Sequence, residues 1–113
     1  MPSNHSKYKG VPEMDRKEDA IRIAKDYAEV IKARFPIKLM YIFGSYINGN
    51  YREESDIDIA IILKEKDYDF LTYSKELFRL RRKVDLRIEP VLLDSIHDLV
   101  FLTEISKTGV QII

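Results

Sequence analysis

The run Gly44-Ser-Tyr-Ile-Asn-Gly-Asn-Tyr-Arg-Glu-Glu-Ser-Asp-Ile-Asp58 combines two kinds of chemical part. A Gly-Ser turn follows the apolar residues 39–43 directly, and two aspartates, Asp56 and Asp58, lead into the apolar residues 59–63. Backbone amides where a strand turns into a helix hold a phosphate. Two carboxylates on one face of a strand hold a divalent cation. Close together, these parts point to chemistry on a nucleoside triphosphate.

Side chains at i and i+2 of a strand share a face and start roughly 7 Å apart, so Asp56 and Asp58 converge on one cation or bridge two. Residues 84–93 read as a further strand in which Asp85, Arg87 and Glu89 share a face. If that strand neighbours 57–63, Asp85 completes a three-carboxylate cluster, with Glu89 on the same face as the alternative. Bare carboxylates at such range repel one another, and a divalent ion removes that penalty. All-oxygen ligation favours Mg²⁺, with Mn²⁺ as the alternative. Two ions about 4 Å apart would stabilise the attacking and leaving oxygens of an in-line displacement at phosphorus. His5 and His97 both lie away from these acids in sequence.

Taken singly, Gly44 is a plain turn glycine, Asp56 a turn residue and Asp58 an exposed strand residue. Taken together, four fixed positions recur by chance on the order of once in a thousand chains of this length. In the loop before the acids, Arg52 either reaches a triphosphate or pairs with Glu53 or Glu54. Ser55 either bonds phosphate or caps its own turn. Tyr46 and Tyr51 flank the turn and are candidates for stacking on a base. Arg79, Arg81, Arg82 and Lys83 cluster at a predicted helix end, where interaction with the helix dipole explains them.

These residues need elements to position them. Residues 1–14 read as an N-terminal arm and 15–113 as one domain. Asp15 is expected to cap a helix carrying Ile23, Tyr27, Val30 and Ile31 at helical spacing and ending at Pro36. A strand over 37–43 follows, then a short helix over 45–51 closed by Asn48-Gly-Asn50, and a strand over 57–63. A helix over 70–83 precedes the strand 84–93, whose Pro90 confines its second half to an edge or a bend. The pattern ends with a helix over 96–107, a stop at Gly109 and a short strand over 110–113. Ile57, Ile59, Ile61 and Leu63 share one face of their strand, with Asp56 and Asp58 on the other. The expected fold class is α/β (α+β): a two-layer sandwich, a mixed sheet of about four strands with the helices packed on one face and the acids open on the other.

Composition narrows the function classes. The 113 residues suit one domain with a real core. Lys plus Arg and Asp plus Glu both number 19, and a chain without net charge lacks the basic surface of a dedicated nucleic-acid binder. No cysteine is present, which excludes disulfides and thiolate metal sites. The aliphatic run 59–63 is far too short to span a membrane, and the first residues lack the apolar core of a signal peptide. The expected compartment is the cytoplasm. No Gly-x4-Gly-Lys-Ser/Thr loop occurs.

The pattern Phe43-Gly-Ser, ten residues, Asp56-x-Asp58 resembles the defining motif of the polymerase-β-like nucleotidyltransferase superfamily, and within it the minimal nucleotidyltransferases. The segment Arg82-Lys-Val-Asp85-Leu-Arg-Ile-Glu-Pro90 resembles the strand that carries the superfamily's third catalytic carboxylate, matched here to Asp85. The likeness runs over about 21–113. It implies transfer of a nucleoside monophosphate, AMP from ATP, to an acceptor hydroxyl with release of pyrophosphate. Gly44 and Ser45 are implied to hold the triphosphate, Asp56 and Asp58 both metal ions, and Asp85 the ion at the acceptor oxygen. Larger members add an acceptor-binding domain, so here a partner chain or self-association is expected to complete the site. Minimal members act beside a small helical HEPN-type protein in toxin–antitoxin pairs, silencing the toxin by adenylylation. Transfer to a small molecule of the aminoglycoside type, or neutralisation of a partner by binding alone, are the alternatives.

Overall fold

Ala20, Ile23, Ala24, Tyr27, Ala28 and Ile31 recur at three- and four-residue intervals, and all six are buried. They form the apolar stripe of helix α1, Glu13–Lys32, while its intervening charged residues face water. The computed structural model describes residues 13–44 and 56–113, with side chains from residue 16 onward. The predicted arm lies almost wholly outside the described residues, and the predicted helix over 45–51 lies entirely outside them. Helix α1 begins before Asp15, so that residue sits within its first turn rather than capping it. Its end is closed by the amides of Arg34 and Phe35, both donating to the Ile31 carbonyl, just ahead of Pro36.

Strand β1, Ile37–Phe43, and strand β2, Ile57–Leu63, fall where the sequence puts them and pair antiparallel. Helix α2, Phe70–Leu80, follows, its N-terminus capped by the Asp69 carboxylate accepting from the Thr72 amide. A 3₁₀ turn, Arg81–Lys83, continues it. Then come strand β3, Ile88–Leu93, helix α3, Leu99–Thr108, and the two-residue strand β4, Val110–Gln111. The sheet order is β3-β2-β1-β4, with β3 parallel to β2 and the other pairs antiparallel. A parallel pair needs a crossover, and α2 supplies it. The expected α+β class with a mixed four-stranded sheet is what the chain adopts.

Two expectations change in detail. The third strand starts at Ile88 rather than residue 84, because residues 84–87 form a turn. The helices also divide between the two faces of the sheet. Ile57, Ile59, Ile61, Leu63, Met40, Ile42, Ile88 and Leu92 pack with the stripe of α1 and with Leu77 and Leu80 of α2. On the opposite face Ala60, Ile62 and Leu93 pack with Ile105 and Leu102 of α3, beside Leu39, Tyr41, Phe43 and Val91. Those alternate residues are themselves apolar, and bare they would hold the second face in water at about 25 cal/mol per Å². The face carrying the acids is therefore covered in part.

Tyr27 shows how the main core treats a polar atom. Its side chain is fully buried and its hydroxyl donates to the Leu77 carbonyl at 2.5 Å, tying α1 to α2. Burial pushes the phenol pKa above its ordinary value. Gly109 ends α3 by close approach: a Cβ there would stand 2.6 Å from the Ile42 carbonyl oxygen. No helix among the described residues is long and apolar enough to cross a membrane. In urea denaturation, Ile59→Ala should cost about 2–5 kcal/mol of stability, as a fully buried centre of the sheet. Tyr27→Phe should cost about 1 kcal/mol, the net worth of one hydrogen bond.

Candidate active site

The acids gather where β1 ends and β2 and β3 begin. Phe43 pairs with Asp58 across β1 and β2, and Asp58 pairs with Glu89 across β2 and β3. Paired residues share a face, so Phe43, Asp58 and Glu89 form a row on the side of the sheet that α3 covers only in part. The next row, Tyr41, Ala60 and Val91, is apolar and lies under α3. Asp56 precedes β2 by one residue and is exposed.

Gly44 closes this end of the sheet. Its φ is +86°, a conformation that costs other residues strain. A Cβ on it would lie 2.3 Å from Oδ2 of Asp58. The glycine is thus required twice, once by its backbone angle and once by the carboxylate resting against it. Ser45, Arg52 and Ser55, the other predicted phosphate contacts, lie outside the described residues.

Asp58 carries the strain of the row. Burial first, then the negative charges of Asp56 and Glu89, hold its carboxyl above the usual aspartate range. A divalent cation answers both causes, since it restores the lost solvation and offsets the neighbouring charges. The donor set of Asp56, Asp58 and Glu89 therefore fits Mg²⁺ or Mn²⁺ chemically. Among the described residues no three acidic side chains converge into a ready-made cage. What the fold supplies is a shared field at the mouth of the sheet.

Asp85 stands elsewhere. It sits in the turn before β3, where Oδ1 accepts from the Arg87 amide at 2.8 Å and from Arg87 Nε at 3.1 Å. Its Oδ2 accepts from Arg87 Nη2 at 2.9 Å. Those bonds to Arg87 hold its carboxyl below the usual range. The alternation Asp85, Arg87, Glu89 looks like one face of a strand, but its first two members are spent on each other. Only Glu89 lies on β3 and opposite Asp58. The sequence reading ranks Asp85 first with Glu89 as the alternative; the register places Glu89, not Asp85, opposite Asp58.

The turn that delivers Glu89 is fastened from both sides. Arg81 Nη1 donates to the carbonyls of Leu86 and Ile88, at 2.8 and 3.2 Å. Its guanidinium lies 3.8 Å from the centre of the Phe78 ring. Arg79 pairs with Glu76 instead. Of the basic cluster that the sequence assigns to the helix dipole, Arg81 is thus a strut of the site, a role visible only once its acceptors are in place.

Two variants probe this arrangement. Gly44→Ala should destabilise the fold by about 1–2 kcal/mol from the backbone angle, and displace the Asp58 carboxylate besides. Asp85→Asn should lower the melting temperature near neutral pH, since a carboxyl whose pKa is depressed in the fold contributes stability above its unfolded pKa. That contribution is lost as pH falls through the folded pKa, so the two melting curves should converge in acid.

Comparison with known proteins places the whole domain. The family described as Polymerase beta, Nucleotidyltransferase matches residues 25–113. A Methanocaldococcus jannaschii protein named "Putative protein adenylyltransferase MJ0141" is 31% identical over 98 residues, covering 83% of this chain and 99% of the relative. The crystal structure of a "putative nucleotidyltransferase" from Sulfolobus solfataricus superposes with a TM-score of 0.64 at 23% identity, over 90% of this chain and 88% of that one. A variant of the toxin–antitoxin complex MntA-HpeT contains a chain that matches at a TM-score of 0.57 and 26% identity, covering 78% and 69%. With its strand-end glycine, its paired aspartates and nearly its whole domain accounted for by that family, the chain belongs to the polymerase-β nucleotidyltransferases.

Proposed function

We propose that this enzyme transfers AMP from ATP to a hydroxyl of a protein acceptor, in a Mg²⁺-dependent reaction, and that the acceptor is a HEPN-type toxin neutralised by the modification. The observation that carries the reading is the row in which Gly44 abuts Asp58 and Asp58 faces Glu89. The family match supports nucleotidyl transfer. The name of the Methanocaldococcus jannaschii relative supports a protein as acceptor, and the likeness to a chain of a toxin–antitoxin complex supports a toxin as that protein. The cytoplasm, where ATP is supplied, is the site of action that this reading implies.

In this reading the backbone at Gly44 and Ser45 holds the β- and γ-phosphates, with Arg52 and Ser55 as further contacts. Asp56, Asp58 and Glu89 hold the metal, and Glu89 takes the place that sequence likeness assigns to Asp85. When bound, Mg²⁺ neutralises the phosphate charge and lowers the pKa of a bound hydroxyl. The acceptor oxygen forms a bond to the α-phosphorus while the bond from that phosphorus to the bridging oxygen breaks, releasing pyrophosphate. The acceptor's proton leaves toward the carboxylates at the Glu89 end. Asp85 keeps its Arg87 partner throughout and serves the turn.

ATP labelled at the α-phosphate, incubated with Mg²⁺ and a HEPN-type toxin from the same genome, should label that protein, and a chelator should stop the reaction. Asp58→Asn and Glu89→Gln should each reduce transfer by about a hundredfold or more. Asp85→Asn should keep most of it at a temperature where the variant is folded. Full activity in Glu89→Gln with loss in Asp85→Asn would return the third carboxylate to Asp85. Neutralisation that survives Asp58→Asn would make binding alone the mode of action.

A further inference from the structure

Beside the acid row stands an aromatic pair that the reaction scheme leaves unused. Phe43 ends β1, precedes Gly44 and faces Asp58. Phe101, from the first turn of α3, meets it edge to face, with ring centres 5.5 Å apart and planes at 89°. Leu102 and Ile105 take the sheet-facing side of α3. Phe101 meets Phe43, the residue that pairs with Asp58, and stays 43% exposed.

The direction of the reaction says what meets this ring. A triphosphate held at Gly44 and an acceptor held at Glu89 lie at opposite ends of the row, so the line of displacement runs along it. The 5′-oxygen and its nucleoside project off that line. On the partly covered face, Phe43 and Phe101 border the row on the Gly44 side among the described residues. Every nucleobase has a π-face that an aromatic side chain can stack against.

Resting on the proposed nucleotidyl transfer, we infer that Phe101 is the stacking surface for the nucleobase of the bound nucleotide. Phe43 braces one side of the ring through their edge-to-face contact and leaves the rest of it open. Because a phenyl ring reads a π-face and not a hydrogen-bond pattern, it contributes affinity for nucleotides in general and purines most, by their larger area. Helix α3 thereby serves the site as well as the core. Tyr46 and Tyr51, the stacking candidates suggested by sequence, lie outside the described residues.

Calorimetric titration of the full chain with Mg²⁺ATP and with Mg²⁺-tripolyphosphate separates the base from the phosphates. Phe101→Ala should weaken ATP about tenfold, Phe101→Leu by less, and Phe101→Tyr hardly at all. Tripolyphosphate should bind all four proteins alike. Should Phe101→Ala fail to fold, as judged by its melting curve, Phe101→Leu carries the comparison, since it keeps an apolar contact with Phe43. Unchanged ATP affinity in the variants overturns the inference, including the case in which only the KM for the acceptor rises. Parallel loss of ATP and tripolyphosphate overturns it too, because the ring would then act through the phosphate site. If the unaltered chain binds neither compound, the nucleotidyl-transfer reading itself fails.

Discussion

The Ile57 amide donates to the Arg87 carbonyl at 2.8 Å, and this bond starts the parallel ladder on which the candidate site depends. It sets Ile57 beside Ile88, and two strands advancing together then bring Asp58 beside Glu89. A slip of one residue would turn Glu89 into the core and Ile88 out of it. The same bond puts the amides of odd-numbered β3 residues on the ladder and leaves position 90 pointing outward, where a proline lacks nothing. Pro90 thus marks β3 as an edge strand without weakening it. Local bonds guard the start of the ladder: Arg81 grips the carbonyls of Leu86 and Ile88, and Asp85 grips Arg87 at both backbone and guanidinium.

Burial and charge compete on the face that carries the acids. Its apolar rows need a cover, and α3 supplies one through Leu102 and Ile105. A full cover would desolvate the carboxylates of the row, at several kcal/mol each. The compromise leaves Asp58 half-buried and raised in pKa, with Asp56 in water. Gly44 sharpens the compromise, because its missing side chain is the space that the Asp58 carboxylate uses. The candidate site carries an unfavourable electrostatic arrangement that the core of the described residues, apolar apart from the satisfied Tyr27 hydroxyl, is able to sustain.

Much of this was legible in one dimension. Strands 37–43 and 57–63 and the helix beginning at residue 70 stand out because burial imposes their periods of two and 3.6 on the sequence. Gly44 and the pair Asp56 and Asp58 stand out because turn and ligand chemistry restrict the residue types allowed. The start of β3 was not legible, since Asp85-Leu-Arg87-Ile-Glu89 alternates like a strand throughout. Only its hydrogen bonds show that Asp85 and Arg87 close a turn. Nor could the periodicity of residues 96–107 say which face of the sheet that helix would cover, because an amphipathic stripe fits any apolar surface.

The sequence by itself determined the family and the kind of reaction, and it marked Gly44, Asp56 and Asp58 as candidates, because those depend on residue types at short fixed separations. Tertiary structure decided which acid lies opposite Asp58, the strut role of Arg81 and the place of Phe101. Each of these depends on a partner distant in sequence: Glu89 on its register with Asp58, Arg81 on two carbonyls of another segment, Phe101 on the end of β1. Spacing along the chain records what a residue and its neighbours do together. Which residues meet across a sheet is set by pairing and packing of the whole.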